Sequence, residues 1–290
     1  MKFATALAFS DPLHFVELAR TADRCGWDWL AVSDHIVFPR RLETRYPYAD
    51  DGKPMWFADT PWPDPLTAIA AMAAVTRRLR FLTHVYILPA RHPLLVAKQV
   101  GTVAYMSGGR VALGVGAGWM KEEFDLLGRD FHRRGASMNE AIEVMRKLWQ
   151  GGMVEYHGSE VAFEGLQMSP VPAQPVPILI GGVSDAALRR AARLGDGWIS
   201  VLHSTDELAL LIGRINELRR EYGTDVKPFE MVVACSDAFD VDGYRRLRDV
   251  GATTLCTAPW VLYGADPGSL EEKQDSLERF AEDVIDKMRE

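Results

Sequence analysis

Four short stretches of this 290-residue chain combine residue types that can bind or transform a small molecule. Ser33-Asp34-His35 sets a carboxylate beside an imidazole. An imidazole exchanges protons near neutral pH, and Asp34 can fix its tautomer or bind a ligand amide. From position alone an equally good account makes Asp34 a loop cap and His35 a polar rim residue. Thr83-His84-Val85 lies in an apolar run that continues into Leu88-Pro89-Ala90-Arg91-His92-Pro93, where a histidine is first of all a satisfied core residue. Gly114-Val115-Gly116-Ala117-Gly118-Trp119 lets the backbone approach a planar or anionic ligand, with free N–H groups where a helix follows. Its spacing lacks the dinucleotide-binding fingerprint. Gly181-Gly182-Val183-Ser184 joins glycine amides, a hydroxyl and a helix start, which together suit a phosphate cradle; the plainer alternative is a helix cap with tight-turn glycines.

These stretches do chemistry only if folding gathers them. Short β-rich apolar runs alternate along the chain with longer runs of helical period, which is the pattern of βαβ units. Strands are expected at Phe3–Phe9, Trp29–Val32, Phe81–Leu88, Val111–Val115, Pro177–Ile180, Gly197–Val201, Phe229–Cys235 and Thr253–Thr257. Helices are expected between them: from Asp11-Pro12 to Cys25-Gly26, Asp64-Pro65 to Leu79, His92 to Met106, Ala136 to Gln150, Ser184 to Leu194, Thr205 to Tyr222 and Tyr244 to Val250, with Leu270 to Met288 closing the chain. In the first of these, Phe15, Leu18, Ala19 and Ala22 recur at helical spacing. Eight strand-helix units close a parallel sheet without an exposed edge, so the expected fold is an α/β, (β/α)8 TIM-type barrel with its site at the strands' carboxyl ends. An open doubly wound sheet is the alternative. The whole of 1–290 is expected to form one barrel domain, with insertions at 36–63 and 153–174 after strands two and four. Long insertions of this kind serve as lids or binding loops.

Composition narrows the partners. Lys and Arg total 33 against 40 Asp and Glu, a net charge of -7, so the concentrated basic face that nucleic acid or an anionic membrane needs is not expected. Cys25, Cys235 and Cys256 show neither CxxC spacing nor a fixed histidine partner, and they read as reduced core residues rather than disulfide or metal ligands. The apolar run in MKFATALAFSD is too short for a secretion signal, and no run approaches the roughly 20 apolar residues of a membrane span. A cytoplasmic location is expected.

Taken in order, the stretches resemble the bacterial-luciferase-like superfamily, in particular its coenzyme F420-dependent oxidoreductase branch. The resemblance rests on FVELARTADRCGWDWLAVSDHI, on RLRFLTHVYILPARHPLLVAKQVGTVAYMSGGRVALGVGAGWMKEEFDLLG, on RRGASMNEAIEVMRKLW and on PVPILIGGVSDAALRRAARLGDGWIS. The long second block and the PILIGG…GDGW pairing are specific jointly; each is weak alone. The resemblance implies a barrel with insertions, a flavin-type cofactor in the mouth, and hydride exchange with a small-molecule substrate. The expected cofactor is F420. The same fold also hosts FMN-dependent monooxygenases that use reduced flavin and oxygen, and a few non-catalytic flavin-binding barrels.

Carried over residue by residue, Asp34 and His35 match the pair beside the deazaflavin ring, with His35 as proton acceptor or donor. Thr83, His84 and Val85 match the segment where these barrels often carry a non-prolyl cis peptide against the ring. Gly116, Ala117 and Gly118 match the segment along the ribityl chain, while Gly181, Gly182 and Ser184 match the phosphate-binding turn. Some sugar-phosphate dehydrogenases of this branch carry a catalytic Glu where Trp119 stands here. That departure leaves His35 as the main proton-transfer candidate and gives Trp119 a pocket-shaping or stacking role. Trp56, Phe57 and Trp62 bring aromatic surface to the first insertion, where Trp56 is expected in the substrate pocket, although packing against the barrel rim accounts for these rings equally well. No metal is expected, and the resemblance implies a homodimer.

Overall fold

In the computed structural model, which describes residues 1–290, the strands are β1 (Lys2–Ala6), β2 (Trp29–Val32), β3 (Arg80–Thr83), β4 (Tyr86–Ile87) and β5 (Val111–Gly116). There follow β6 (Val154–His157), β7 (Ala162–Leu166), β8 (Ile178–Gly181), β9 (Gly197–His203), β10 (Glu230–Cys235) and β11 (Thr254–Thr257). Pairing runs β1-β2-β3-β5-β8-β9-β10-β11 and returns to β1, parallel at every step. The sheet is a closed eight-stranded barrel, and the open doubly wound alternative is excluded.

The helices are α1 (Phe15–Arg24), α2 (Pro65–Val75), α3 (Pro93–Met106), α4 (Lys121–Leu126), α5 (Arg134–Leu148) and α6 (Asp185–Leu194). The remainder are α7 (Thr205–Glu221), α8 (Val241–Asp249), α9 (Pro259–Leu262), α10 (Leu270–Phe280) and α11 (Asp286–Arg289). Local chemistry sets their starts: Asp64 accepts from the Thr67 amide at 2.8 Å ahead of Pro65, and Ser204 with Glu207 forms a reciprocal capping box. None of the helices is long and apolar enough to cross a membrane.

Because strand side chains alternate, Phe3, Leu30, Phe81, Leu113 and Ile178 join the layer under the helices. Ala4, Trp29, Leu82, Leu179, Ile199 and Val232 pack inside the barrel and close its floor. Cys256 lies in that inner layer, and all three cysteines are free thiols. Burying each large apolar side chain contributes about 1.5–3 kcal/mol, so this double layer makes the barrel a rigid platform for its mouth.

Four expectations need correction. β1 stops at Ala6, not Phe9: its pairing with β2 ends at Ala31, and Phe9 turns out of the sheet with φ 64° to face the mouth. The third barrel strand is not continuous from Phe81 to Leu88; it is broken at a cis His84-Val85 peptide, resumes as β4, and ends in a 3-10 turn at Leu88–Ala90. Between β5 and α5 lies a connection the periodicity did not reveal, carrying α4 and a short turn at Phe131–Arg133. Lastly, the 153–174 insertion follows helix α5 rather than a strand. Its β6–β7 hairpin lies along α5, where Glu140 accepts from the Ser159, Glu160 and Val161 amides, and none of its residues lines the mouth.

Candidate active site

A cavity of about 800 Å³ opens at the carboxyl ends of the strands, and every one of the four chemically suggestive stretches contributes to its wall. That volume is in the range of small-molecule sites. Three surfaces compose it.

The first is aromatic. The His35 ring lies 4.9 Å from Trp56, 5.4 Å from Trp62 and 6.0 Å from Trp119, centroid to centroid. Tyr46 stands edge-on to Trp56 and Trp119, and Phe9 packs edge-on to Trp62. Trp56 and Trp119, 21 and 84 residues away from His35 in no sequence pattern that links them, would not be paired by spacing; the barrel brings them together. The rings of these tryptophans pack on one another and also line the cavity. Burial raises the Tyr46 and Tyr48 hydroxyls above their ordinary value, so both stay neutral near pH 7.

The second surface is the barrel rim at Val85. A Cβ on Gly116 would come 2.6 Å from one Val85 methyl, and a Cβ on Gly181 would come 2.8 Å from the other. Glycine at these two positions is therefore required by Val85 itself. Neighbouring His84 lines the cavity; its Nε2 has no hydrogen-bond partner, and burial holds the imidazole below its ordinary value and so favours its neutral form.

The third surface suits an anion. Gly182 has φ +115°, a backbone state that glycine reaches easily, and Ser184 caps α6 by accepting from the Ala187 amide. The amides of Val183 and Ser184 have no acceptor within the chain. Beside them stand Arg134 and Arg190, whose hydrogen bonds go to Gly118 O, Phe131 O, Gly135 O and Asn139 Oδ1. Neither meets a carboxylate. Burial, then the neighbouring charges of Arg193 and Arg134, lowers the Arg190 guanidinium below its ordinary value. Two uncompensated cations, free amides and a helix N-terminus are the donor set a phosphate requires.

Two expected site residues do other work. Asp34 borders the cavity, but its buried carboxylate takes both ends of the Arg91 guanidinium, at 2.6 and 2.8 Å, together with the Ile87 amide at 2.9 Å. It therefore does not fix the tautomer of His35; its lone pairs are committed to tying the end of β2 to the turn after β4. Thr83 is fully buried and donates its hydroxyl to Gly114 O at 2.7 Å, which knits β3 to β5 and leaves it off the cavity wall. Sequence reasoning missed Glu123, whose Oε1 lies 3.3 Å from His35 Nδ1, and it missed Arg91 and Arg190 as site residues. The one available signal was Glu122-Glu123 after Met120-Lys121, an acidic first helical turn.

The chain matches the Luciferase-like monooxygenase family over residues 4–242. It is 42% identical over 290 residues to an uncharacterised protein of Mycobacterium tuberculosis (strain ATCC 25618 / H37Rv), covering 99% of this chain and all of the other. It is 28% identical over 281 residues to an F420-dependent glucose-6-phosphate dehydrogenase of Gordonia bronchialis, with 94% and 77% of the two chains covered. Among solved structures, an F420-dependent secondary alcohol dehydrogenase in complex with an F420-acetone adduct superposes with TM-score 0.77 at 17% identity, over 100% and 99% of the chains. The chain belongs to the luciferase-like monooxygenase family, and its relatives include the F420-dependent branch that its sequence resembles.

Proposed function

We propose that this protein is an oxidoreductase that binds coenzyme F420 and transfers hydride between it and a small, uncharged organic substrate. The observation that carries the proposal is the two-ended cavity: unpaired Arg134 and Arg190 beside the Gly182–Ser184 turn at one wall, and His35 in an aromatic enclosure at another. The bound deazaflavin would supply the hydride chemistry. The chain's own residues would do the rest. Arg134, Arg190 and the Val183 and Ser184 amides would neutralise and hold the phosphate, with Gly182 admitting it close to the backbone. Gly116, Ala117 and Gly118 would border the cofactor's chain, and His84 and Val85 its ring. His35 would accept or return the proton of the substrate's oxygen. Trp56 and Trp119 would exclude water and receive the apolar body of the substrate, with Trp119 in place of an acid removing the second proton carrier found in the sugar-phosphate dehydrogenases.

The phosphate cradle suits FMN as well, so the test uses both cofactors. Purified protein is titrated with F420 and with FMN, following each cofactor's fluorescence. Saturable binding of F420 with clearly weaker binding of FMN supports the proposal. Tight FMN binding accompanied by oxygen consumption replaces it with the monooxygenase reaction. Binding of neither cofactor overturns it.

A further inference from the structure

We infer that Glu123 is the positioning residue of the site: it holds His35 as the Nδ1–H tautomer and so leaves the Nε2 lone pair as the ring's proton acceptor. The inference deepens the role proposed above for His35, but its geometry stands on its own.

Glu123 sits in the first turn of α4, fully buried, 88 residues along the chain from the histidine it meets. Its Oε1 accepts from the Ile36 amide at 2.8 Å and the Val37 amide at 3.3 Å, and His35 Nδ1 lies 3.3 Å from the same oxygen. Two backbone donors thus pin that oxygen in place beside the ring. An oxygen already accepting from two backbone amides is an acceptor toward the ring as well, so the nitrogen facing it must carry the proton. A bare Nδ1 would set two acceptors against each other in a buried site, with the cost of an unmet polar group. The ring cannot easily turn to exchange its nitrogens, because Trp56, Trp62 and Trp119 pack around it. Nor is another carboxylate available. Asp34, the residue before it, is taken by Arg91, and the rings around His35 are uncharged. The arrangement is that of a carboxylate that orients an imidazole and stabilises the cation formed when the far nitrogen takes a proton.

Glu122 provides an internal control. Its Oε1 accepts from the Glu43 and Thr44 amides at 2.7 and 3.0 Å, so it ties the same insertion to the same helix without touching His35. A merely anchoring role for Glu123 would make the two glutamates equivalent.

The experiment is long-range ¹H–¹⁵N NMR of the histidine rings in cofactor-free protein at alkaline pH, with the His35 signals assigned by their loss in His35→Gln. The expected wild-type spectrum shows His35 as the Nδ1–H tautomer. Glu123→Gln retains it, since the amide oxygen still accepts, while Glu123→Ala gives mixed tautomers and Glu122→Ala leaves the wild-type pattern. In F420-loaded enzyme, Glu123→Ala lowers kcat about 10- to 100-fold with F420 affinity held within twofold. An Nε2–H tautomer in the wild type overturns the inference without any variant, which keeps it testable if Glu123→Ala does not fold. An unchanged tautomer in folded Glu123→Ala overturns it too. Failure of F420 to bind would strike the proposed cofactor alone, because the spectra need no cofactor.

Discussion

Arg91 clasps Asp34 with both guanidinium ends, Nη1 to Oδ2 at 2.6 Å and Nη2 to Oδ1 at 2.8 Å, with the aspartate side chain 1% exposed. The guanidinium also lies over the Tyr86 ring, 4.0 Å from its centroid. Removing one partner of such a pair leaves a buried charge without compensation. Asp34→Ala should therefore lose about 3–5 kcal/mol of unfolding free energy in urea titrations. A loss below about 1 kcal/mol, the usual worth of an exposed pair, would contradict the structural role.

Of the two adjacent candidates lining the cavity, Asp34 is held by Arg91, whereas His35 keeps a ring nitrogen with no partner in the chain. His35→Ala should lower turnover about 10²- to 10⁴-fold while F420 affinity changes little. Unchanged turnover would remove it from proton transfer.

Arg190 and Gly182 report on the anion surface. Replacing Arg190 by Gln removes a charge-assisted contact worth about 1.5–3 kcal/mol, which corresponds to roughly a 10- to 150-fold weaker F420 complex and a shallower salt dependence. Gly182→Val forces a branched side chain into φ +115°, with its Cβ 3.1 Å from that of Ala187. F420 affinity should fall there as well, and an unaltered Kd in both variants would displace the phosphate from this turn.

Val85 fills the space beside Gly181. Gly181→Ala should destabilise the protein by about 1–3 kcal/mol through overpacking. Val85→Ala combined with it should recover part of that loss, since contacting residues are not additive. Thermal melts of the two single variants and the double variant measure the coupling, and strict additivity would argue against the contact.

His84 predicts the acid limb of stability. Burial lowers its folded-state value below the ordinary histidine value of about 6.5, so between the two the unfolded chain binds the extra proton. Stability then rises with pH up to about 6.5 and is lost below it, with a slope from this group of at most about 1.4 kcal/mol per pH unit. His84→Gln should flatten that limb in urea titrations from pH 5 to 7.5. An identical slope in the variant would show that the ring is hydrated.

The alternation of strand and helix periods is local information, and it determined the (β/α)8 barrel, the carboxyl-end location of the four stretches and the helix start at Ser184. Hydrophobic period and capping residues such as Asp64 and Ser204 act within a few positions, so a single chain displays them. The boundaries were less legible. Phe9 and the β3–β4 break look apolar and β-rich, and only the register with β2 and β5 ends the pairing there. Adjacency in sequence made Asp34 and His35 appear to be one functional unit. Beyond the end of β2 each meets a different partner from a distant element: Arg91 for Asp34, 57 residues on, and Glu123 for His35, 88 residues on. Ion pairs and ring contacts of that kind depend on distances in space that no periodicity encodes, so the division of labour between the two neighbours was decided by the tertiary structure alone.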